Sequence, residues 1–209
     1  MKPAIPLFAF LTLALSACVT SYKAVPAGVN SIGQLDVVAG PGWNLAPRIS
    51  ASSDRESTKN WTKDGLLLNT LAFIPAVSDG EALVTSRNDG APLPVFRADM
   101  LPNEIEELAE STFVKIFGEG NAVFDTSGLR PHMFGTHRGF LFDVEASVTE
   151  SPDYKGLAGA FVADEKLYFM YYLAADPYYF EKDLEAARAI IMSATLDGQD
   201  QVLSLIHIS

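Results

Sequence analysis

Cysteine is nearly missing from this chain: Cys18 is the single one in 209 residues. A lone cysteine closes no intrachain disulfide, so a domain built from this sequence has to be held by its core. Histidine is almost as scarce, with only His132, His137 and the terminal His207, whereas metal sites draw on several histidines, cysteines or clustered acids. No G-x-S-x-G nucleophile elbow, no phosphate-binding loop and no Rossmann glycine set occurs. Basic residues are in deficit too, 15 Lys and Arg against 26 Asp and Glu for a net charge of −11. That charge repels phosphate backbones and anionic headgroups, which argues against nucleic acid and against direct electrostatic membrane binding. These shortages predict no cofactor, no metal and no catalytic residue that can be named from the sequence.

What is present begins at the amino end. Met1 and Lys2 give a positive start, and residues 4–15 are apolar except for Thr12, a length that fits a signal peptide and is too short to span a bilayer. The run ends in Leu15-Ser16-Ala17-Cys18, which resembles the bacterial lipobox. The resemblance implies cleavage before Cys18 and acylation of that residue by palmitate-type chains, which would hold the mature protein on a membrane. Each buried methylene contributes about 0.8 kcal/mol, so two or more long chains anchor stably where one would not. The competing reading is an ordinary secreted protein, or a buried free thiol, with a cysteine near the cleavage site by chance; position, flanks and singleness all favour lipidation. Val19 follows the cysteine, where an aspartate would look like the inner-membrane retention signal of enterobacterial lipoproteins, so the outer membrane, facing the periplasm, is the expected location.

The remaining chain divides on composition. Residues 1–17 form the signal peptide and carry one lysine and no acid, so their removal leaves the protein still more acidic. Residues 18–33, small and polar with Pro26, Gly28 and Gly33, read as the lipidated cysteine and a flexible tether. Residues 34–202 form one domain, whose apolar residues suffice for a real core, since 48% of the full chain is hydrophobic and 11% aromatic. In it, Lys63-Asp64-Gly65 separates two strand-like runs and predicts a β-hairpin. Between residues 75 and 100 turn residues are dense, so only short pieces such as 82–85 are expected to pair. Asn103 with Glu106 predicts a helix start, followed by an apolar stripe through Ile105, Leu108, Thr112 and Ile116. Phe140, Phe142, Val144, Ala146 and Val148 alternate with polar residues, as in a half-buried antiparallel strand. Two strands follow around Asp164-Glu165-Lys166, the second apolar on both faces and therefore central. Asp176-Pro177 predicts a capped final helix with Phe180, Leu184, Ala187, Ile191 and Ala194 as its core stripe.

The fold class expected is α+β, an antiparallel β-sheet covered by two main helices. This order, with "WTKDG" and the closing "LYFMYYLAADPYYFEKDLEAARAIIMSATL", resembles the PsbP/Mog1-like fold, seen also in DcrB-type bacterial lipoproteins. It is similar as well to uncharacterised proteobacterial lipoproteins that share the "GWN", "WTKDG" and "YF" segments. The resemblance implies an accessory or binding role, because proteins of that fold are mostly assembly factors and adaptors; it carries no catalytic residue onto this chain.

Arg130, His132, His137 and Arg138 concentrate positive character in a stretch punctuated by Pro131 and Gly135, which reads as a polar loop able to meet an anion or an acidic partner, or as arginines that balance nearby acids. Glu104, Glu106, Glu107 and Glu110 could supply an acid/base pair, but the helix dipole explains acids at a helix start. Tyr168, Tyr171, Tyr172, Tyr178 and Tyr179 could line a cleft or fill the seam between sheet and helix. The functional expectation is a membrane-anchored envelope lipoprotein acting as a non-catalytic binding or accessory module with an envelope protein partner; the alternative is an envelope hydrolase whose residues meet only in the fold.

The last residues, Leu203, Ser204, Leu205, Ile206, His207, Ile208 and Ser209, look like the in-frame translation of a transposase-end adaptor used in sequencing libraries, CTG TCT CTT ATA CAC ATC TCC. They are expected to be an artefact, which removes His207 from the candidates.

Overall fold

A computed structural model describes residues 21–48, 54–85, 92–117 and 120–196. Cys18 and the 203–209 tail therefore lie outside the described residues. The chain forms β1 (Lys23–Ala24), β2 (Gly28–Ile32), β3 (Leu35–Ala39), β4 (Asn44–Leu45), β5 (Lys59–Thr62), β6 (Asn69–Ser78), α1 (Pro102–Phe117), β7 (Ala122–Phe134), β8 (His137–Val148), β9 (Tyr154–Ala163), β10 (Lys166–Ala175), α2 (Tyr178–Met192) and β11 (Thr195–Leu196). Among the described residues there is an eight-stranded sheet in the order β1-β4-β5-β6-β10-β9-β8-β7 and a three-stranded sheet in the order β11-β3-β2. All pairings are antiparallel. This is the expected α+β class.

The large sheet is covered on both faces, which explains why β10 is apolar on both. Tyr168, Met170 and Tyr172 pack into a cluster with Trp43, Trp61, Phe161 and Ile191 under α2 and the small sheet. Leu167 and Phe169 pack with Phe96, Ile105, Leu108, Phe113, Phe124 and Phe142 on the α1 side. β10 lies between β6 and β9, as its two-sided apolarity requires. The β9–β10 turn has Asp164 and Glu165 at φ 49° and 59°, the left-handed pair that a two-residue hairpin needs.

Several local expectations are corrected. The stretch read as a tether contains β1 and β2: Val25 and Ile32 are buried, and β2 pairs with β3 from Gly28↔Ala39 to Ile32↔Leu35. The helix read as capped by Asn103 starts one residue earlier, at Pro102; the Glu104 carboxylate accepts the Leu101 N–H at 2.7 Å, so the acid closes the helix start from inside while proline takes the first position. Asp176 does not cap α2, whose N-cap is Pro177 without a side-chain bond; it pairs with Lys155 at 3.2 Å. β6 continues through Pro75, because the register slips opposite Tyr168 between Leu167↔Val77 and Phe169↔Ile74, and a bulge is where a strand tolerates proline. Residues 82–85, expected to pair, form no strand, although Leu83 and Val84 are buried. The presumed polar loop at 130–138 is the tip of a long β7–β8 hairpin. Pro131 is accommodated there because β7 is the sheet edge.

The "WTKDG" hairpin is confirmed, with Gly65 at φ 113°, and its turn is pinned to α2. Lys63 Nζ lies 2.7 Å from Asp183 Oδ1, on a carboxylate only 4% exposed, and 5.1 Å from the Trp43 ring centroid. Asn69 Oδ1 accepts from Thr62 Oγ1 at 2.7 Å and from the Lys63 N–H at 2.9 Å, while its Nδ2 donates to Asp64 Oδ2 at 2.7 Å. Lys182 of α2 reaches Asp64 at 2.7 Å. Burial alone would raise the Asp64 carboxyl, but hydrogen bonds from Lys182 and Asn69, with the ammonium charges of Lys182 and Lys63, outweigh it and hold the group below its ordinary value.

Candidate functional site

The apolar face of the sheet under α1 is not filled along its whole length. The α1 stripe Ile105, Leu108, Ala109, Thr112 and Phe113 is buried, but beyond it Ile116 and Phe117 are 38% and 44% exposed. Beneath this last stretch lies a cavity of about 350 Å³, within the size range of small-molecule sites and more than twice a cavity that holds benzene. Its floor is Thr70 and Ile74 of β6, Tyr171 and Leu173 of β10, and Ala146 and Val148 of β8; Leu66, Leu67, Leu83 and Val84 close one side. An aromatic wall holds it open: Phe113 stacks on Phe124 at 5.3 Å and meets Tyr171 edge-on at 5.1 Å, and Phe117 lies 5.4 Å from Phe124. Rigid rings on the helix and short side chains at Ala146 and Thr70 on the sheet leave a gap between them.

The polar groups of this lining are mostly committed to the backbone. Thr70 Oγ1 donates to the Leu66 carbonyl at 2.9 Å, Thr112 Oγ1 to that of Leu108 at 2.6 Å, and the Tyr154 hydroxyl to that of Leu67 at 3.1 Å. Burial, with a smaller contribution from the Asp54 charge, pushes the Tyr171 hydroxyl far above the usual phenol range, so it stays neutral. Asp54 is the one carboxylate in the lining, and no histidine, cysteine, lysine or arginine joins it among the described residues. Such a surface favours an apolar guest.

A second concavity, of about 300 Å³, adjoins the first and shares Asp54 with it. It lies at the β1-β4-β5 edge and is lined by Ser21, Lys23, Leu45, Arg48, Thr58 and Lys59, among others. The Asp54 carboxylate at the boundary accepts from Asn60 Nδ2 at 2.8 Å.

Apart from Tyr171, the groups singled out in the sequence lie elsewhere. Arg130 makes a two-pronged pair with Asp143 at 2.8 and 2.9 Å, so it balances an acid and is not poised for a ligand. His132 Nε2 lies 3.2 Å from the Met192 carbonyl, and the His137 ring stacks on Phe161 at 5.7 Å; Arg138 is exposed at the hairpin tip. Among the described residues no group of three His, Cys, Asp or Glu is placed to hold a metal ion. Of the four glutamates, Glu104 serves the helix start and Glu110 accepts from Thr126 at 3.2 Å. The tyrosines divide: Tyr168 and Tyr172 fill the α2 seam, Tyr171 walls the cavity, and Tyr178 is 66% exposed. Sequence reasoning missed the cavity itself, whose lining is scattered from residue 54 to residue 173. It missed the edge concavity for the same reason, since Lys23, Arg48 and Lys59 are far apart in the chain.

No helix among the described residues is long and apolar enough to cross a membrane. No family model and no curated protein sequence matches the chain. Among solved structures it is similar to cyanobacterial PsbP (CyanoP) from Synechocystis sp. PCC 6803, with a TM-score of 0.55 at 10% identity over 87% of this chain and 95% of that one. It is also similar to LpqN, involved in cell envelope biogenesis of Mycobacterium tuberculosis, with a TM-score of 0.39 at 12% identity over 84% of this chain and 90% of that one. The likeness to cyanobacterial PsbP extends over nearly the whole of both chains, and the antiparallel sheet with its two helices is a PsbP-like fold.

Proposed function

We propose that the protein is a lipid-anchored accessory module of the bacterial envelope that binds its ligand without transforming it, and that the α1 cavity is where it binds. The observation that carries the binding half is the 350 Å³ cavity with its largely apolar, aromatic-walled lining, because an apolar hollow of this size gains free energy by accepting an apolar guest. A hydrolase needs a nucleophile beside a general base; the described lining supplies one carboxylate, the phenols of Tyr154 and Tyr171 and the hydroxyls of Thr70, Thr112 and Ser151, with no histidine or lysine to serve as the base. Support for the anchoring half is the Leu15-Ser16-Ala17-Cys18 sequence. The anchor would hold the domain at the outer membrane on its periplasmic side, where the exposed rim residues Leu67, Ile116 and Phe117 could meet an envelope protein.

Two measurements test the halves separately. Membrane fractionation should find the wild-type protein with an acylated amino-terminal cysteine and the Cys18→Ser protein unacylated and displaced from the membrane pellet, its melting temperature unchanged. A wild-type chain that carries no acyl group by mass spectrometry refutes the anchor. For the binding half, the neutral fluorophore 1-aminoanthracene should bind the Cys18→Ser protein saturably at one site, and Leu173→Trp, which places an indole in the cavity, should abolish the binding. Equal binding by both proteins would place the probe elsewhere and refute the cavity as the site.

A further inference from the structure

The concavity beside the α1 cavity differs from it in chemistry. Lys23, Arg48 and Lys59 line it, and none of the three is paired with an acid among the described residues. In a chain of net charge −11, the field of the whole protein repels anions, so three unpaired cations at one spot are a local exception. Buried polar atoms without partners mark the same spot. Thr58, only 8% exposed, lines the concavity, and its Oγ1 and the buried Asn60 Oδ1 form no hydrogen bond. A native structure rarely leaves a buried hydroxyl unsatisfied without use for it.

Building on the reading of the α1 cavity as the binding site, we propose that the two concavities form one site for an anionic amphiphile. Its single alkyl chain occupies the α1 cavity, and its head lies over Lys23, Arg48 and Lys59, with the Thr58 hydroxyl as a hydrogen-bond donor. Asp54, common to both linings and tied to Asn60, marks the boundary where tail gives way to head. The chain's own path favours a membrane-derived ligand. Ser21 lines the head concavity and is three residues from Cys18, a reach of at most about 11 Å. An anchor at Cys18 therefore holds the mouth of the site against the lipid surface.

Calorimetric titration of the Cys18→Ser protein with sodium decanoate and with 1-decanol at pH 8 and low salt tests this, since the two probes share a tail and differ in the head. Decanoate is expected to bind about tenfold more tightly than decanol, the margin of a charge-assisted contact at a partly exposed site. The triple variant Lys23→Gln/Arg48→Gln/Lys59→Gln should bring decanoate down to the affinity of decanol and leave decanol unchanged. Decanol binding as tightly as decanoate to the parent protein, or a preference for decanoate that survives the triple variant, overturns the head site while leaving the α1 cavity intact. Binding of neither compound overturns the cavity reading as well. Because the three substituted residues are on the surface, unchanged melting temperature in the triple variant excludes unfolding as the cause.

Discussion

Replacing Asp183 by Ala should destabilise the protein by about 3–5 kcal/mol, read as a drop in the urea midpoint, because it strands a cation whose partner was buried. Lys63 Nζ is 2.7 Å from a carboxylate that is 4% exposed, and its other neighbour is the Trp43 ring at 5.1 Å. Asn69 Nδ2 also approaches Asp183, at 3.4 Å. By contrast Lys182→Ala, which removes a pair exposed on its lysine side, should cost at most about 1 kcal/mol. The double variant Lys63→Met/Asp183→Leu should recover most of the loss, since replacing both charges by apolar groups leaves nothing unpaired. Equal losses for Asp183→Ala and Lys182→Ala would mean that the buried pair does not fix the hairpin to α2. The same cluster gives a dependence on pH. Asp64 titrates below its ordinary 3.8 in the folded state, so its contribution is complete above that value and disappears as pH falls through the folded pKa. Lys182, raised above 10.5 chiefly by its hydrogen bond to Asp64, contributes below 10.5 and loses its share as pH rises through the raised value.

Ile191→Asn is expected to cost a further several kcal/mol in its own right, about 3–5, by leaving a cavity and burying an amide in it. Ile191 is 0% exposed, and α2 sits so close to β9 that a Cβ at Gly159 would lie 2.7 Å from Ile191 Cγ2. That contact leaves no room for water to reach the new amide. Glu185→Gln, at a side chain 84% exposed, should change stability by no more than about 0.5 kcal/mol. Thermal melts of the two variants side by side decide this, and similar losses would show that the buried face of α2 is a different one.

The helices and the central strands were legible because their apolar periodicity is strong. The α1 stripe as far as Phe113, the alternation from Phe140 to Ala146 and the two-sided β10 lie where the pattern puts them, whereas Ile116, expected in the stripe, is exposed. What failed were places where a residue's local preference is overridden by its neighbours. Pro131 and Gly135 made the 130–138 stretch look like a loop, yet an edge strand donates few bonds, and the β7 bulge between Ser127 and Arg130 uses Gly128 at φ 67°. Pro26, Gly28 and Gly33 made the 18–33 stretch look like a tether, yet pairing with β3 orders part of it. The "GWN" and "WTKDG" segments carried meaning that sequence could not assign: Trp43, Lys63 and Asp64 meet around Asn69 and Asp183. The cavity left no motif, since elements far apart in the chain each contribute one to four residues to it. Small side chains at Thr70 and Ala146 are its only trace, and they are legible only once the strands are paired.

Chemical-shift mapping on the isotopically labelled Cys18→Ser protein during titration with 1-aminoanthracene is the most direct test of cavity binding. Saturable shifts should appear at Thr112, Phe113, Ile116, Phe124, Tyr171 and Leu173, the walls of the α1 cavity, with no change at Ile190, Ile191 or Trp43 beneath α2. Shifts centred on the α2 face, or no saturable shift at any of the cavity residues, would contradict it.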